Sequence, residues 1–265
     1  MHRDALRGSD PSREFGTGAA TERRRGGGVS VLPRTRAQLA RFVDHTILKP
    51  EATAAEIDRL CDEAVAHGFF AVCVNPVWVA RCVERLGGAG VSPAHSIVGT
   101  ATGPPVRARS ASEGTPPPTA ATRILPVVCT VAGFPLGASL PQVKAEEARR
   151  AVEQGAREVD MVVNLGALIA GDRPTVVGDI AAVVETTKRA NPAALVKVIL
   201  ETRALTDEQI ILGCQCCIEA RADFVKTSTG FHAKGGATVE HAALLKKHAA
   251  PLKVKAAGGI RDLPT

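Results

Sequence analysis

The sequence predicts an α/β fold of the (β/α)8-barrel type, with seven of the eight strands inside its 265 residues. Three observations carry that expectation. From residue 36 onward, strand-like apolar runs alternate with helical patterns, which implies a parallel sheet covered by helices. No G-x-G-x-x-G opens the first βα unit, which argues against a doubly wound dinucleotide-binding sheet. Polar residues fall within or late in the strands, where a barrel gathers its active site at the strands' C-terminal mouth.

The elements follow in order. "FVDHTIL" (42–48) reads as the first strand and precedes "TAAEIDRLCDEAVAHG", in which Thr53 and Glu56 form a capping box. Ile57, Leu60, Cys61 and Ala64 then recur at helical spacing. "AVCVNP" (71–76) leads to the helical "VWVARCVERLGG", and "VVCTVAGFP" (127–135) leads to "LPQVKAEEARRAVEQG". "EVDMVVN" (158–164) precedes "TVVGDIAAVVETTKRA", and "LVKVILET" (195–202) precedes "TDEQIILGCQCCIEARA". "DFVKTST" is followed by "TVEHAALLKKHA", and "LKVKAAGG" (252–259) is the seventh strand.

Two stretches stand outside this pattern. Residues 1–35 are rich in Arg, Gly and Ser and read as a disordered basic tail; four acidic residues argue against an organellar transit peptide. Residues 101–126, rich in Pro, Ala, Ser, Thr and Arg, read as a low-complexity insertion between the second helix and the third strand. The barrel domain is therefore expected over 36–265. The two stretches also carry most of the +6 formal charge, so the remainder is nearly neutral and nucleic acid is not an expected partner. No apolar run approaches the ~18 residues of a membrane span. Seven cysteines, an odd number without a second C-x-x-C or a nearby His, fit buried free thiols in a reducing compartment better than a zinc site.

Lysines inside the apolar strands are the chemical signal. Lys197, Lys226 and Lys255 each interrupt a buried-looking run, although burying an ammonium without a partner is expensive. Period-two alternation puts Lys226 and Ser228 on one face, with Asp160 and Asp44 on neighbouring strands. One alternative is a structural salt-bridge network; the convergence of three lysines and two aspartates favours catalysis. The chemistry that suits them is Schiff-base formation, in which a neutral lysine amine attacks a carbonyl and the iminium withdraws electrons from the adjacent carbon–carbon bond. Burial and a neighbouring positive charge both lower a lysine pKa, so Lys255 is expected to depress that of Lys226. Asp160 is positioned to move protons through a water.

The motifs "VDHTILKP", "AVCVNP", "AGFPLGAS", "EVDMVVNLGAL", "VKVILET", "DFVKTSTGF" and "VKAAGGIRD" together closely resemble the deoxyribose-phosphate aldolases, class I aldolases with a TIM-barrel fold. The resemblance runs from about residue 38 to 262, apart from 101–126. It implies reversible cleavage of 2-deoxy-D-ribose 5-phosphate into glyceraldehyde 3-phosphate and acetaldehyde, with no metal or other cofactor. It implies Lys226 as the Schiff-base lysine, Lys255 as its modulator and Asp160 as acid/base. Asp44 and Lys197 match supporting polar residues. Thr46, Thr227, Ser228 and Gly230 are expected to shape the substrate pocket, and Gly258 and Gly259 to form part of the phosphate site. A cytoplasmic enzyme is implied, and a homodimer is compatible with the resemblance. The family continues past "GGIRD" with an eighth strand and a Gly-Ser-rich phosphate turn, whereas this chain ends at Thr265. The expectation is therefore an incomplete barrel whose first and seventh strands expose edges, with low solubility and reduced activity. A non-catalytic binding protein and a lysine-dependent aldolase for another substrate remain as alternatives, and the intact lysine–aspartate set favours the aldolase.

Overall fold

A computed structural model describes residues 33, 35–87 and 125–260. The expected tail 1–35, except Pro33 and Thr35, and the expected insertion 101–126, except its last two residues, lie outside the described residues. Seven strands form one parallel sheet: β1 (Asp44–Ile47), β2 (Ala71–Val74), β3 (Val127–Ala132), β4 (Glu158–Val162), β5 (Leu195–Ile199), β6 (Phe224–Lys226) and β7 (Lys253–Lys255). Each pairs with the next in chain order, so the sheet runs β1 to β7 without a crossover. The sheet curls: Lys255 on β7 touches Asp44 on β1, and Lys197 on β5 comes within 3.8 Å of the same carboxylate.

Alternation along each strand sorts the side chains. Val72, Val74, Val128, Val159, Met161, Val196, Val198 and Val225 point outward into two apolar clusters beneath the helices. Ala71, Cys73, Cys129 and Val131 form a smaller cluster on the opposite face of β2 and β3. That inner parity also holds Asp44, Glu158, Asp160, Lys197, Lys226 and Lys255.

The outer layer comprises α1 (Arg36–Ala40), α2 (Ala54–His67), α3 (Val79–Arg85), α4 (Pro141–Glu153), α5 (Leu165–Ile169), α6 (Arg173–Ala190), α7 (Asp207–Glu219) and α8 (Val239–His248). Their ends follow local chemistry. The Thr53–Glu56 capping box starts α2, and Gly68 in the left-handed region stops it. Thr206 and Gln209 form the corresponding box on α7. Cys214, Cys216 and Cys217 are buried on α7 as core thiols, in agreement with the structural reading of the C-x-x-C.

Two local expectations change. β4 ends at Val162, and Asn164 is the N-cap of the short α5, its Oδ1 accepting from the Ala167 amide at 3.1 Å. Asn75 likewise follows β2 and ties two strand ends together, donating to the Leu48 carbonyl at 3.1 Å. Among the described residues no helix is long and apolar enough to cross a membrane.

Candidate active site

Register brings the charged residues together. Asp160 on β4 lies opposite Lys197 on β5, and Lys226 on β6 lies opposite Lys255 on β7. Asp160 is fully buried and both its oxygens are used: Lys197 Nζ donates to Oδ1 at 2.8 Å and Lys226 Nζ to Oδ2 at 2.7 Å. The Cys129 thiol also donates to Oδ1, at 3.3 Å. On its other side Lys197 meets Glu158 Oε2 at 2.5 Å, an ion pair oriented off the hydrogen-bond directions. Lys255 pairs with Asp44. Three ammoniums thus face three carboxylates, and the neutral sum is what lets them stay inside a barrel. Exposure grades outward: the side chains of Lys197, Lys226 and Lys255 are 2%, 7% and 18% exposed. The open end of the cluster is therefore Lys226 and Lys255, with Lys197 as its floor.

The protonation states correct one expectation. Burial pushes the Asp160 carboxyl up, but the Lys197 and Lys226 ammoniums overcome it and hold the group at about 2. Burial pushes Lys226 down, yet the Asp160 carboxylate outweighs it, so Lys226 stands above the ordinary lysine value. Lys197 is raised by the same contest. The lysine that is lowered is Lys255, pushed to about 8 by burial although its contact with Asp44 opposes the shift. Any lowering of Lys226 by Lys255 is therefore outweighed in the resting site. The nearer carboxylate dominates, and Lys255 is the amine that reaches its neutral form first.

The loops above the cluster are held by backbone contacts. Thr227 and Ser228, expected to line the substrate pocket, are buried, and their hydroxyls donate to the Ala257 carbonyl at 3.3 and 3.1 Å. Their contacts fix the turn after β7. Gly230 and Gly258, with φ of +84° and +85°, approach so closely that a Cβ on Gly258 would lie 3.1 Å from the Gly230 Cα and 2.9 Å from that of Gly236. The turns after β6 and β7 are thus stacked backbone on backbone, which leaves Gly258 and Gly259 at the mouth above Lys255 with no side chains. Thr46 is exposed at the end of β1, on the same parity as Asp44, and its hydroxyl donates to the Asp44 carbonyl at 2.9 Å.

Four residues join the site that the sequence reading left out of it. Glu158 stands two positions before Asp160, and the period of two was the signal for it. Cys129 lies opposite Glu158 in the register of β3 with β4, and its thiol reaches on to Asp160. Gly236 supplies the close approach to Gly258. Glu201, at φ +56°, is buried at the end of β5 and clamps the loop after Lys226, accepting from the Thr229 amide at 3.1 Å and its hydroxyl at 2.5 Å. Among the described residues two donor groups have metal-like spacing, Cys73–Cys129–Asp160 and Asp44–Cys129–Glu158. Lysine ammoniums already neutralise the carboxylates in both, so neither donor set fits a resident cation.

Comparison with known proteins agrees with this fold. The model of the DeoC/LacD family aldolases matches residues 120–265. The chain is 47% identical to a deoxyribose-phosphate aldolase of Brevibacillus brevis, over 84% of this chain and 83% of that protein. It is 46% identical to deoxyribose-phosphate aldolase 1 of Bacillus licheniformis, over 85% and 84% of the two chains. Among solved structures, an aldolase called QR15 superposes with a TM-score of 0.66 at 34% identity, covering 85% of this chain and 83% of its own. The tetrameric deoxyribose phosphate aldolase of Aeropyrum pernix superposes with a TM-score of 0.66 at 29% identity, covering 86% and 80%.

Proposed function

This chain belongs to the DeoC/LacD family of aldolases, and from that premise we propose that it cleaves 2-deoxy-D-ribose 5-phosphate reversibly to glyceraldehyde 3-phosphate and acetaldehyde through a Schiff base on Lys226. The observation that carries the assignment is the buried Lys226–Asp160–Lys197 triad beside Lys255. Neutral Lys226 attacks the C1 aldehyde of the open-chain sugar, and loss of water leaves an iminium. A base takes the proton of the C3 hydroxyl, the C2–C3 bond breaks, and its electron pair moves toward the iminium to form an enamine. Glyceraldehyde 3-phosphate leaves; protonation of the enamine at C2 and hydrolysis then release acetaldehyde and restore Lys226. Asp160 handles the C3 and C2 protons through a water, the role its place against the Lys226 amine suits.

Lys226 must lose a proton before it attacks, and magnitudes choose the acceptor. Lys226 stands above the ordinary lysine value, Lys255 is lowered to about 8 and Asp160 is held at about 2, so of the two neighbouring groups Lys255 is by far the stronger base. Lys255 is therefore the acceptor, and it is competent only when neutral. Schiff-base formation with acetaldehyde, followed by cyanoborohydride trapping, is expected to fall ~10-fold per pH unit below about 8 and to level off above it. A Lys255→Leu variant should lose that inflection; an unchanged profile in the variant would assign it elsewhere.

Asp44 and Lys197 support these three by pairing Lys255 and Asp160 respectively. Gly258 and Gly259 suit the phosphate, because backbone N–H groups without side chains can approach an anion closely. Thr46, Thr227, Ser228 and Gly230 shape the mouth, the two buried hydroxyls through their hold on Ala257. The reading extends to a cytoplasmic setting, supported by seven free cysteines, and to a homodimer as the assembly. The test is direct. Acetaldehyde release from 2-deoxy-D-ribose 5-phosphate should persist in a metal chelator, disappear irreversibly when borohydride is added with substrate, and fall sharply for unphosphorylated 2-deoxyribose. Turnover that survives borohydride, or that a chelator abolishes, would overturn the Schiff-base reading.

A further inference from the structure

A second buried ion pair lies outside the catalytic cluster, between the sheet and its helices. Lys144 on α4 and Asp179 on α6 are fully buried and 2.8 Å apart. Lys144 occupies the apolar stripe of α4 with Ala148, Ala151 and Val152, where packing alone calls for an aliphatic residue. Burial pushes Lys144 down and Asp179 up, so the surroundings oppose both charges. Asp179 Oδ1 is buried without a partner. By stability alone such a pair is a poor choice, since well-packed apolar residues of similar size are often equal or better.

The contacts of the pair show what it holds. Besides Asp179, Lys144 Nζ donates to the Val162 carbonyl at 2.9 Å. Asp179 Oδ2 accepts from the Asn164 amide at 2.8 Å. Val162 is the last residue of β4, two beyond Asp160, and Asn164, four beyond it, caps the helix that follows. On the β3 side the Lys144 stem lies against Gly133, where an added Cβ would sit 2.9 Å from Lys144 Cε. The turn that follows packs as tightly: a Cβ on Gly137 would lie 2.0 Å from the Val163 carbonyl oxygen. One ammonium and one carboxylate thus fasten the ends of β3 and β4 from outside, where β4 emerges from the layer that holds Asp160.

We infer that Lys144 and Asp179 are positioning residues for the aldol reaction, fixing the end of β4 so that Asp160 stays aligned with the Lys226 amine. This rests on the reading of Lys226 and Asp160 given above. Specific hydrogen bonds to two backbone groups define a position that apolar packing would leave free to slide, and misplacing a catalytic group by about 1 Å can cost ~100-fold in rate.

The test separates position from stability. In Lys144→Met and Asp179→Leu, each single change leaves one buried charge without its counter-charge and lowers both stability and turnover. The double variant removes both charges and replaces them with apolar side chains, so its urea midpoint should return to near the wild-type value or above. Its kcat should nevertheless stay ~10–100-fold low, with KM within about threefold of wild type. A double variant that regains stability and kcat together would show the pair to be purely structural and overturn the inference. If the double variant does not fold, Asp179→Asn and Asp179→Ala replace it, compared per folded molecule. The amide of Asn still accepts from Asn164 and Lys144 and should keep most of kcat, whereas Ala should lose at least ~10-fold. Equal kcat in those two variants would overturn the inference as well. A wild-type protein that releases no acetaldehyde from 2-deoxy-D-ribose 5-phosphate fails the earlier reading instead, before any variant is compared.

Discussion

Lys226→Arg is expected to abolish turnover while leaving the fold intact. Arginine keeps a positive charge opposite Asp160, so the buried carboxylate retains a partner at the place now held at 2.7 Å. Its guanidinium cannot be deprotonated in a protein, however, and so cannot attack a carbonyl. The loss should be at least ~10⁴-fold in kcat, about 5.5 kcal/mol at 1.36 kcal/mol per decade. Circular dichroism and the urea midpoint should stay close to wild type. A variant that keeps a tenth of the wild-type turnover would show that another lysine forms the adduct.

Asp160→Asn should do damage of two kinds. The amide still offers one oxygen to Lys197 or Lys226, but the charge that balances both ammoniums is gone. Leaving a buried charge without its partner costs about 3–5 kcal/mol, which in a chain of this size lowers Tm by roughly 6–20 °C. Turnover should fall by ~10²–10⁴-fold as acid–base transfer at C3 and C2 is lost. The pH dependence gives an independent check. Because the Asp160 pKa is lowered on folding, from 3.8 to about 2, its stabilisation is present above 3.8 and lost as pH falls through 2. That acid-limb loss, on the order of 2 kcal/mol, should be absent in the variant. A variant as stable as wild type at neutral pH would mean that Lys197 and Lys226 do not depend on Asp160 for charge balance.

Much of this arrangement was legible in the sequence because a parallel barrel follows simple rules. Alternating βα units set the strand order, and period two placed Lys197, Lys226, Lys255, Asp44 and Asp160 on one side. Distances across the curl were not legible. Strand order alone does not say that Asp44 meets Lys255 or that Asp160 reaches both Lys197 and Lys226, and those contacts decide which lysine is protonated. That is why the expected depression of Lys226 gave way to a depressed Lys255. Thr227 and Ser228 read as pocket residues because hydroxyls beside a catalytic lysine suggest ligand contacts; the backbone of Ala257 takes them instead. Lys144 was hidden for a different reason: in a helix with so many charges, one more lysine looks solvated, and only the packing of α4 against α6 shows it to be interior.

Reducing the folded protein with borohydride in the presence of acetaldehyde, and sequencing its peptides by mass spectrometry, identifies the nucleophile. A reduced ethyl group on Lys226, absent from Lys255 and Lys197, is the expected result. An ethyl group on Lys255, the amine nearest its neutral form at physiological pH, or no adduct at all on protein shown to be folded, would contradict it.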